Sequence, residues 1–146
     1  MAVIADILSA KGADVYTVTP DTTVYDAIAA MTDHGVGSLL VMEGQRLVGI
    51  VTERDYLRKV ALEGRSSRTT PVRDIMSRKL VCVTPGHDVA EALAIMTEAR
   101  VRHLPVLGEH GLAGLVSIGD CVKQINRDHE AHIRYLTDYI RDDYPG

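Results

Sequence analysis

One stretch of the chain is written twice. Val18–Val60, VTPDTTVYDAIAAMTDHGVGSLLVMEGQRLVGIVTERDYLRKV, aligns without a gap on Val83–Ile125, VTPGHDVAEALAIMTEARVRHLPVLGEHGLAGLVSIGDCVKQI. Val-Thr-Pro recurs, Ala27 matches Ala92, Met31-Thr32 matches Met96-Thr97, Leu39 matches Leu104, Gly49 matches Gly114 and Asp55 matches Asp120. Upstream, Asp6-Ile7-Leu8-Ser9 echoes Asp74-Ile75-Met76-Ser77, and the first copy carries about three extra residues near Gly12 to Asp14. A repeat of this length constrains the fold more than any composition does: one supersecondary unit is built twice. A lone unit of about 60 residues buries too little surface to be comfortable, so the two must share a core.

Each copy predicts the same elements. A short helix, around Ile4 to Lys11 or Val72 to Arg78, leads to a strand rich in Val, Tyr and Thr that Pro20 or Pro85 ends. Thr23-Val-Tyr-Asp26 and Asp88-Val-Ala-Glu91 read as capping boxes opening a helix that stops near Gly35 or Arg100. Two strands follow, Ser38 to Met42 and Leu47 to Val51, then Leu104 to Leu107 and Leu112 to Val116, joined by Gly-containing turns. A last helix begins near Glu53 or Ile118. The expected division is 1–70 for the first repeat with its N-terminal helix and linker, 71–127 for the second, and 128–146 for an amphipathic tail with Ile133, Leu136, Tyr139 and Ile140 at helical spacing. The stretches Ala27 to Met31 and Ala92 to Met96 are apolar nearly all round, so they need cover on two sides; a homodimer is expected.

With Phe and Trp absent, the core must be aliphatic. A net charge of −4 argues against nucleic acid as the main partner, which would call for a basic footprint. No apolar run reaches the roughly 20 residues of a membrane helix, and the N-terminus does not read as a secretory signal. The expectation is a cytoplasmic protein with no membrane partner. Cys82 and Cys121 show no metal-like spacing and read as two reduced thiols. His129-Glu-Ala-His132 has a spacing of three, not the four of a zinc helix, and reads as a helix-face pair without metal.

Two copies that each close on Gly-apolar-apolar-Thr or Ser-x-x-Asp, GIVTERD at Gly49–Asp55 and GLVSIGD at Gly114–Asp120, resemble a CBS domain pair, or Bateman module. The resemblance runs from about Ala5 to Arg127. It implies an α/β (α+β) fold, two tandem β-α-β-β-α repeats packed sheet to sheet about a pseudo-twofold axis. It also implies a regulatory module that binds an adenine nucleotide (AMP, ATP or NADH) in clefts between the repeats, with no catalytic cofactor. Carried over residue by residue, one site would use Thr52, Arg54 and Asp55 with Val81, Cys82, Val101 and Arg102, His103 adding a pH-dependent contact. The other would use Ser117 and Asp120 with Tyr16, Thr17, Val36, Gly37 and Ser38. The closing Asp would accept from the ribose hydroxyls. The second motif has Ile118-Gly119 where the first has Glu53-Arg54, so the two sites should differ in phosphate handling.

The residues also support this chemistry without the resemblance. Thr52 sits where a strand becomes a helix, a place that favours anions. A carboxylate one turn on suits a vicinal diol, because it accepts two bonds and needs no donor of its own. Thr-x-x-Asp and Ser-x-x-Asp are equally passable capping boxes needing no ligand. Gly49 suggests a close approach by backbone or ligand. Arg65, Arg68 and Arg73 in the linker read either as a solvated surface or as phosphate contacts. No nucleophile–base pair and no P-loop is present, which argues against an enzyme. A structural dimerisation protein with unused sites and a weak nucleotide hydrolase stay as alternatives, and the regulated partner protein is not named by the sequence.

Overall fold

In the computed structural model, which describes residues 2–129, the order of elements repeats as the sequence does. The first copy holds β1 (Thr17–Val18), α2 (Val24–His34), β2 (Ser38–Glu43), β3 (Arg46–Thr52) and α3 (Glu53–Tyr56), which runs on as a π turn over Leu57–Ala61. The second holds α4 (Val89–Ala99), β4 (His103–Gly108), β5 (Gly111–Ser117) and α5 (Ile118–Asp128). Ahead of both lies α1 (Ile4–Lys11). The amphipathic tail expected to follow α5 lies, from residue 130 on, outside the described residues.

Local chemistry accounts for the boundaries. The Thr23 hydroxyl accepts from the Asp26 N–H at 3.1 Å and opens α2. The Asp88 N–H donates to Glu91 Oε1 at 3.1 Å and opens α4. Both helices end on a left-handed residue, Gly35 at φ 65° and its counterpart Arg100 at φ 57°. The hairpins pair Ser38 with Thr52 through Glu43 with Arg46, and His103 with Ser117 through Gly108 with Gly111. Each slips register at the same place, after Val41 and after Val106.

Two expected elements are smaller than the pattern predicts. The helix expected over Val72 to Arg78 is a single 3-10 turn, Val72–Asp74. The cause is Ser77, whose N–H and carbonyl both bond Ile50 on β3, at 2.9 and 3.0 Å; that pairing requires extended chain where the helix would continue. In the first copy β1 runs parallel to β2, and the Leu40 N–H donates to the Tyr16 carbonyl at 3.2 Å. The counterpart of Leu40 is Pro105, which has no N–H to give. The second copy therefore keeps one parallel bridge, Val83 to Val106, in place of the expected strand.

The chain forms two compact units. Among the described residues, one is Asp14–Cys82; the other joins 2–13 to 83–129. The leading segment α1 thus packs within the unit of the second repeat, and the Val72–Asp74 turn packs within the unit of the first. The motif glycines make room for this. A Cβ on Gly49 would lie 2.6 Å from Met76 Sδ and 3.0 Å from the Ser77 carbonyl oxygen; one on Gly114 would lie 2.7 Å from Leu8 Cδ2. Leu8 and Met76 are the two counterparts in the upstream echo. The close approach expected at Gly49 is therefore made by the chain itself.

The core of Asp14–Cys82 comprises Val24, Ala27, Met31, Leu39, Val41, Val51, Val60, Val72, Ile75 and Met76. In the other unit Val89, Ala92, Met96, Leu104, Val106, Val116, Ile4 and Ile7 are buried at the matching positions. On α4 the buried face is Val89, Ala92 and Met96, while Ala94 is exposed; on α2, Ala29 is exposed. Among the described residues both apolar helices thus keep an exposed side. Among the described residues no helix is long and apolar enough to cross a membrane.

Candidate functional site

The two closing motifs are built alike. In the first, the Thr52 N–H donates to Asp55 Oδ2 at 3.0 Å and the Asp55 N–H donates to Thr52 Oγ1 at 3.1 Å. In the second, the Ser117 N–H donates to Asp120 Oδ2 at 2.8 Å and the Asp120 N–H donates to Ser117 Oγ at 3.0 Å. Both are complete capping boxes, so these residues satisfy two otherwise orphaned N–H groups whether or not a ligand is present. The first helical N–H of each motif is also used: Glu53 donates to the Gly37 carbonyl at 3.0 Å and Ile118 to the Arg102 carbonyl at 2.9 Å. The next N–H, of Arg54 or Gly119, donates to no described residue.

These bonds gather the predicted residues at one end of each sheet. Ser38 is the cross-strand partner of Thr52, Gly37 is tied to Glu53, and Tyr16 is bonded to β2 through Leu40. His103 is the partner of Ser117, and Arg102 is tied to Ile118. Val36 and Gly37 line a cavity of about 350 Å³ with Ile28, Met31, Thr32, Gly35 and Glu53, a size within the range of small-ligand sites. The Tyr16 ring stacks on His34, centroids 3.8 Å apart with 11° between the planes. Thr17 pairs with Leu40, and Val81, Cys82 and Val101 are half-buried.

Each closing carboxylate also meets a lysine. Lys59 Nζ lies 3.2 Å from Asp55 Oδ1, and donates to the Ile75 carbonyl at 2.8 Å. Lys11 Nζ lies 2.8 Å from Asp120 Oδ2 and donates to the Leu115 carbonyl at 3.0 Å. At Asp120 both bonds fall on Oδ2, and Oδ1 takes none from a described residue. Burial pushes the Asp120 carboxyl up, but the Lys11 ammonium together with the Ser117 N–H and hydroxyl outweighs it and holds the group below its ordinary value. Beside it the Cys121 thiol is pushed up to about 11, by burial first and by the Asp120 charge second. Burial also raises Cys82. Both cysteines are free and hold their protons at neutral pH, so neither is poised as a nucleophile.

The sequence missed these lysines and His34. Lys59 is legible as an i,i+4 partner of Asp55; Lys11 is 109 residues from Asp120 and gives no local signal. Of the linker arginines, Arg65 pairs with Asp74 at 3.1 Å, Arg73 pairs with Asp21, and Arg68 lies 3.9 Å over the Tyr25 ring. Arg54 and Arg102 are exposed and make no such contact with a described residue. Among the described residues no group of three His, Cys, Asp or Glu could hold a metal ion; His132 lies outside them.

The comparisons with known proteins agree with this architecture. The CBS domain family model matches residues 4–62 and 72–127. The chain is 45% identical to the mitochondrial CBS domain-containing protein CBSX3 of Arabidopsis thaliana, over 97% of this chain and 73% of that protein. The solved structure of a putative signal-transduction protein with CBS domains from Burkholderia ambifaria MC40-6 superposes with a TM-score of 0.84 at 51% identity, over 87% of this chain and 96% of that one. At 19% identity and a TM-score of 0.75, the fold also matches the CBS domain pair of MJ0100, solved in complex with 5'-methylthioadenosine and S-adenosyl-L-methionine, over 88% of this chain and 98% of that one.

Proposed function

The chain belongs to the CBS domain family, and from that premise we propose that it is a non-catalytic sensor that binds adenine nucleotides (AMP, ATP or NADH) at its two closing motifs. The observation that carries this is the doubled closing carboxylate: Asp55 and Asp120 are each fixed in orientation by their own cap, and Asp120 Oδ1 takes no bond from a described residue. A held carboxylate with a spare oxygen is pre-organised for a ribose diol. The open N–H of Arg54 or Gly119 adds a donor beside it for an anionic oxygen.

In this reading the ligand-binding residues of Asp14–Cys82 are Thr52, Arg54, Asp55, Val81, Cys82, Tyr16, Thr17, Val36, Gly37 and Ser38, and those of the other unit are Val101, Arg102, His103, Ser117 and Asp120. The adenosine ligands of MJ0100 support the class of ligand. Arg54 and Arg102 each offer an exposed guanidinium for phosphate, and the linker arginines are already engaged. The second motif has Gly119 in place of Arg54 but receives the Lys11 ammonium. The protein acts as a cytoplasmic homodimer through the exposed sides of α2 and α4, and its binding state is read by a partner protein.

A thermal-shift series with AMP, ATP and NADH tests the reading. A sensor is stabilised by at least one of them, by about 2.7 kcal/mol at a hundredfold excess over Kd. ATP stabilisation should drop more than AMP stabilisation in Arg54→Ala. No shift with any of the three would leave a dimerisation protein with unused sites.

A further inference from the structure

At the end of β3 remote from Thr52, a cavity of about 430 Å³ is lined by Pro20, Glu43, Arg46, Leu47, Val48, Arg73, Met76, Arg78 and Leu80. All these residues belong to the unit Asp14–Cys82. Six strand steps separate Arg46 from Thr52, about 20 Å at ~3.3 Å per residue, so the cavity is no part of the closing motif.

Three arginines line this cavity, and their pairing is unequal. Arg73 is neutralised by Asp21. Arg46 and Arg78 make no hydrogen bond or ion pair with any described residue, although Glu43 stands opposite Arg46 across the hairpin. Besides Glu43 the rest of the lining is apolar: Pro20, Leu47, Val48, Met76 and Leu80.

The fold does not require these charges. The same hairpin, slipped register and glycine notch occur in the second repeat, where Arg46 is replaced by Gly111, Arg73 by Ala5, Arg78 by Ala10 and Glu43 by Gly108. The arginines appear in one copy only, so the shared hairpin and notch do not depend on them. Two guanidiniums that pair with no described residue, beside an apolar lining, suit an oxyanion on an apolar body, and of such groups a phosphate monoester brings the most charge.

We infer that this cavity is a second ligand site, separate from the closing motifs, which takes a phosphate monoester through Arg46 and Arg78 and seats its apolar portion on Leu47, Val48, Met76 and Leu80. The inference stands independently of nucleotide binding at Asp55 and Asp120.

The test is amide NMR on the full chain titrated with phenyl phosphate, with inorganic phosphate and benzyl alcohol as the two halves of the probe. It is done in wild type and in Asp55→Ala/Asp120→Ala protein, where the closing motifs are silenced. Saturable shifts are expected at residues 46–48 and 76–80 in both proteins. Phenyl phosphate should bind more tightly than either half. Arg46→Ala/Arg78→Ala should weaken it by about tenfold or more, the loss of one charge-assisted contact being worth that much, while Arg46→Lys/Arg78→Lys retains part of the affinity. A well-dispersed spectrum of the alanine pair shows that it is folded. The inference is overturned by an absence of saturable shifts at these amides, by unchanged affinity in the alanine pair, by equal binding of benzyl alcohol, or by shifts that vanish when Asp55 and Asp120 are replaced.

Discussion

Asp55 and Asp120 hold the same place in the two repeats and close the same capping box, yet they are neutralised from different directions. Lys59 reaches Asp55 from one turn further along the same helical segment and binds Oδ1; Lys11 reaches Asp120 from α1 and shares Oδ2 with the Ser117 N–H. The box follows from local sequence, so it is copied with the repeat. The cation is not copied: the counterpart of the local Lys59 is Gln124, and the second motif takes Lys11 from a distant segment. The same holds for β1, which exists where Leu40 offers an N–H and shrinks to a bridge where Pro105 does not. Duplicated chains keep what a few adjacent residues determine and diverge where distant segments meet.

The comparison breaks most visibly at the segments that fill the glycine notches. Met76 is buried and Leu8 is half-buried. Met76→Ala should destabilise by about 2–5 kcal/mol, and Leu8→Ala by clearly less, in urea denaturation. Equal losses would mean that the two segments carry equal weight. Next come the glycines. Gly49→Ala should cost about 1–3 kcal/mol by overpacking, because the Ser77 carbonyl it would press is held by Ile50. Gly114→Ala should cost less, since it meets only the flexible end of Leu8. A reversed order would show that Leu8 is the more rigid filler.

The smallest effect sharpens the contrast between the lysines. Lys11→Met should cost about 0.2–1 kcal/mol at neutral pH, the usual range for a solvent-facing pair. The folded Asp120 carboxyl lies below its ordinary value, so its contribution is full above the unfolded pKa and fades as pH falls through the folded one. The gap between wild type and Lys11→Met should therefore close in acid, below about pH 4. A gap that persists in acid would mean that Lys11 acts through packing or its Leu115 bond rather than through Asp120.

The hairpins, the helix caps, the end of each long helix and both closing boxes were legible, because each is fixed by residues within a few positions of one another. The failures have the same root. The local pattern predicts the Val72 to Arg78 helix, but Ser77 is claimed by Ile50 on β3. The loss of the second β1 was written in Pro105, legible only once its neighbour on β4 is known. Lys11 could not be found beside Asp120 from sequence spacing. Gly49 signalled a close approach correctly, but the sequence could not say that Met76 makes it. Arg54 and Arg102 stand out by motif position and are exposed, while Arg65, Arg68 and Arg73 each meet a partner side chain that the sequence does not show.

The central claim is that each closing carboxylate holds a nucleotide. Calorimetric titration of AMP and ATP into wild type, Asp55→Ala and Asp120→Ala protein tests it most directly. Each substitution should weaken one of two binding events by roughly ten- to 150-fold, the equivalent of about 1.5–3 kcal/mol for a hydrogen bond to a charged group, and leave the other intact. Affinities unchanged in both variants would contradict the account and leave Asp55 and Asp120 as helix caps alone.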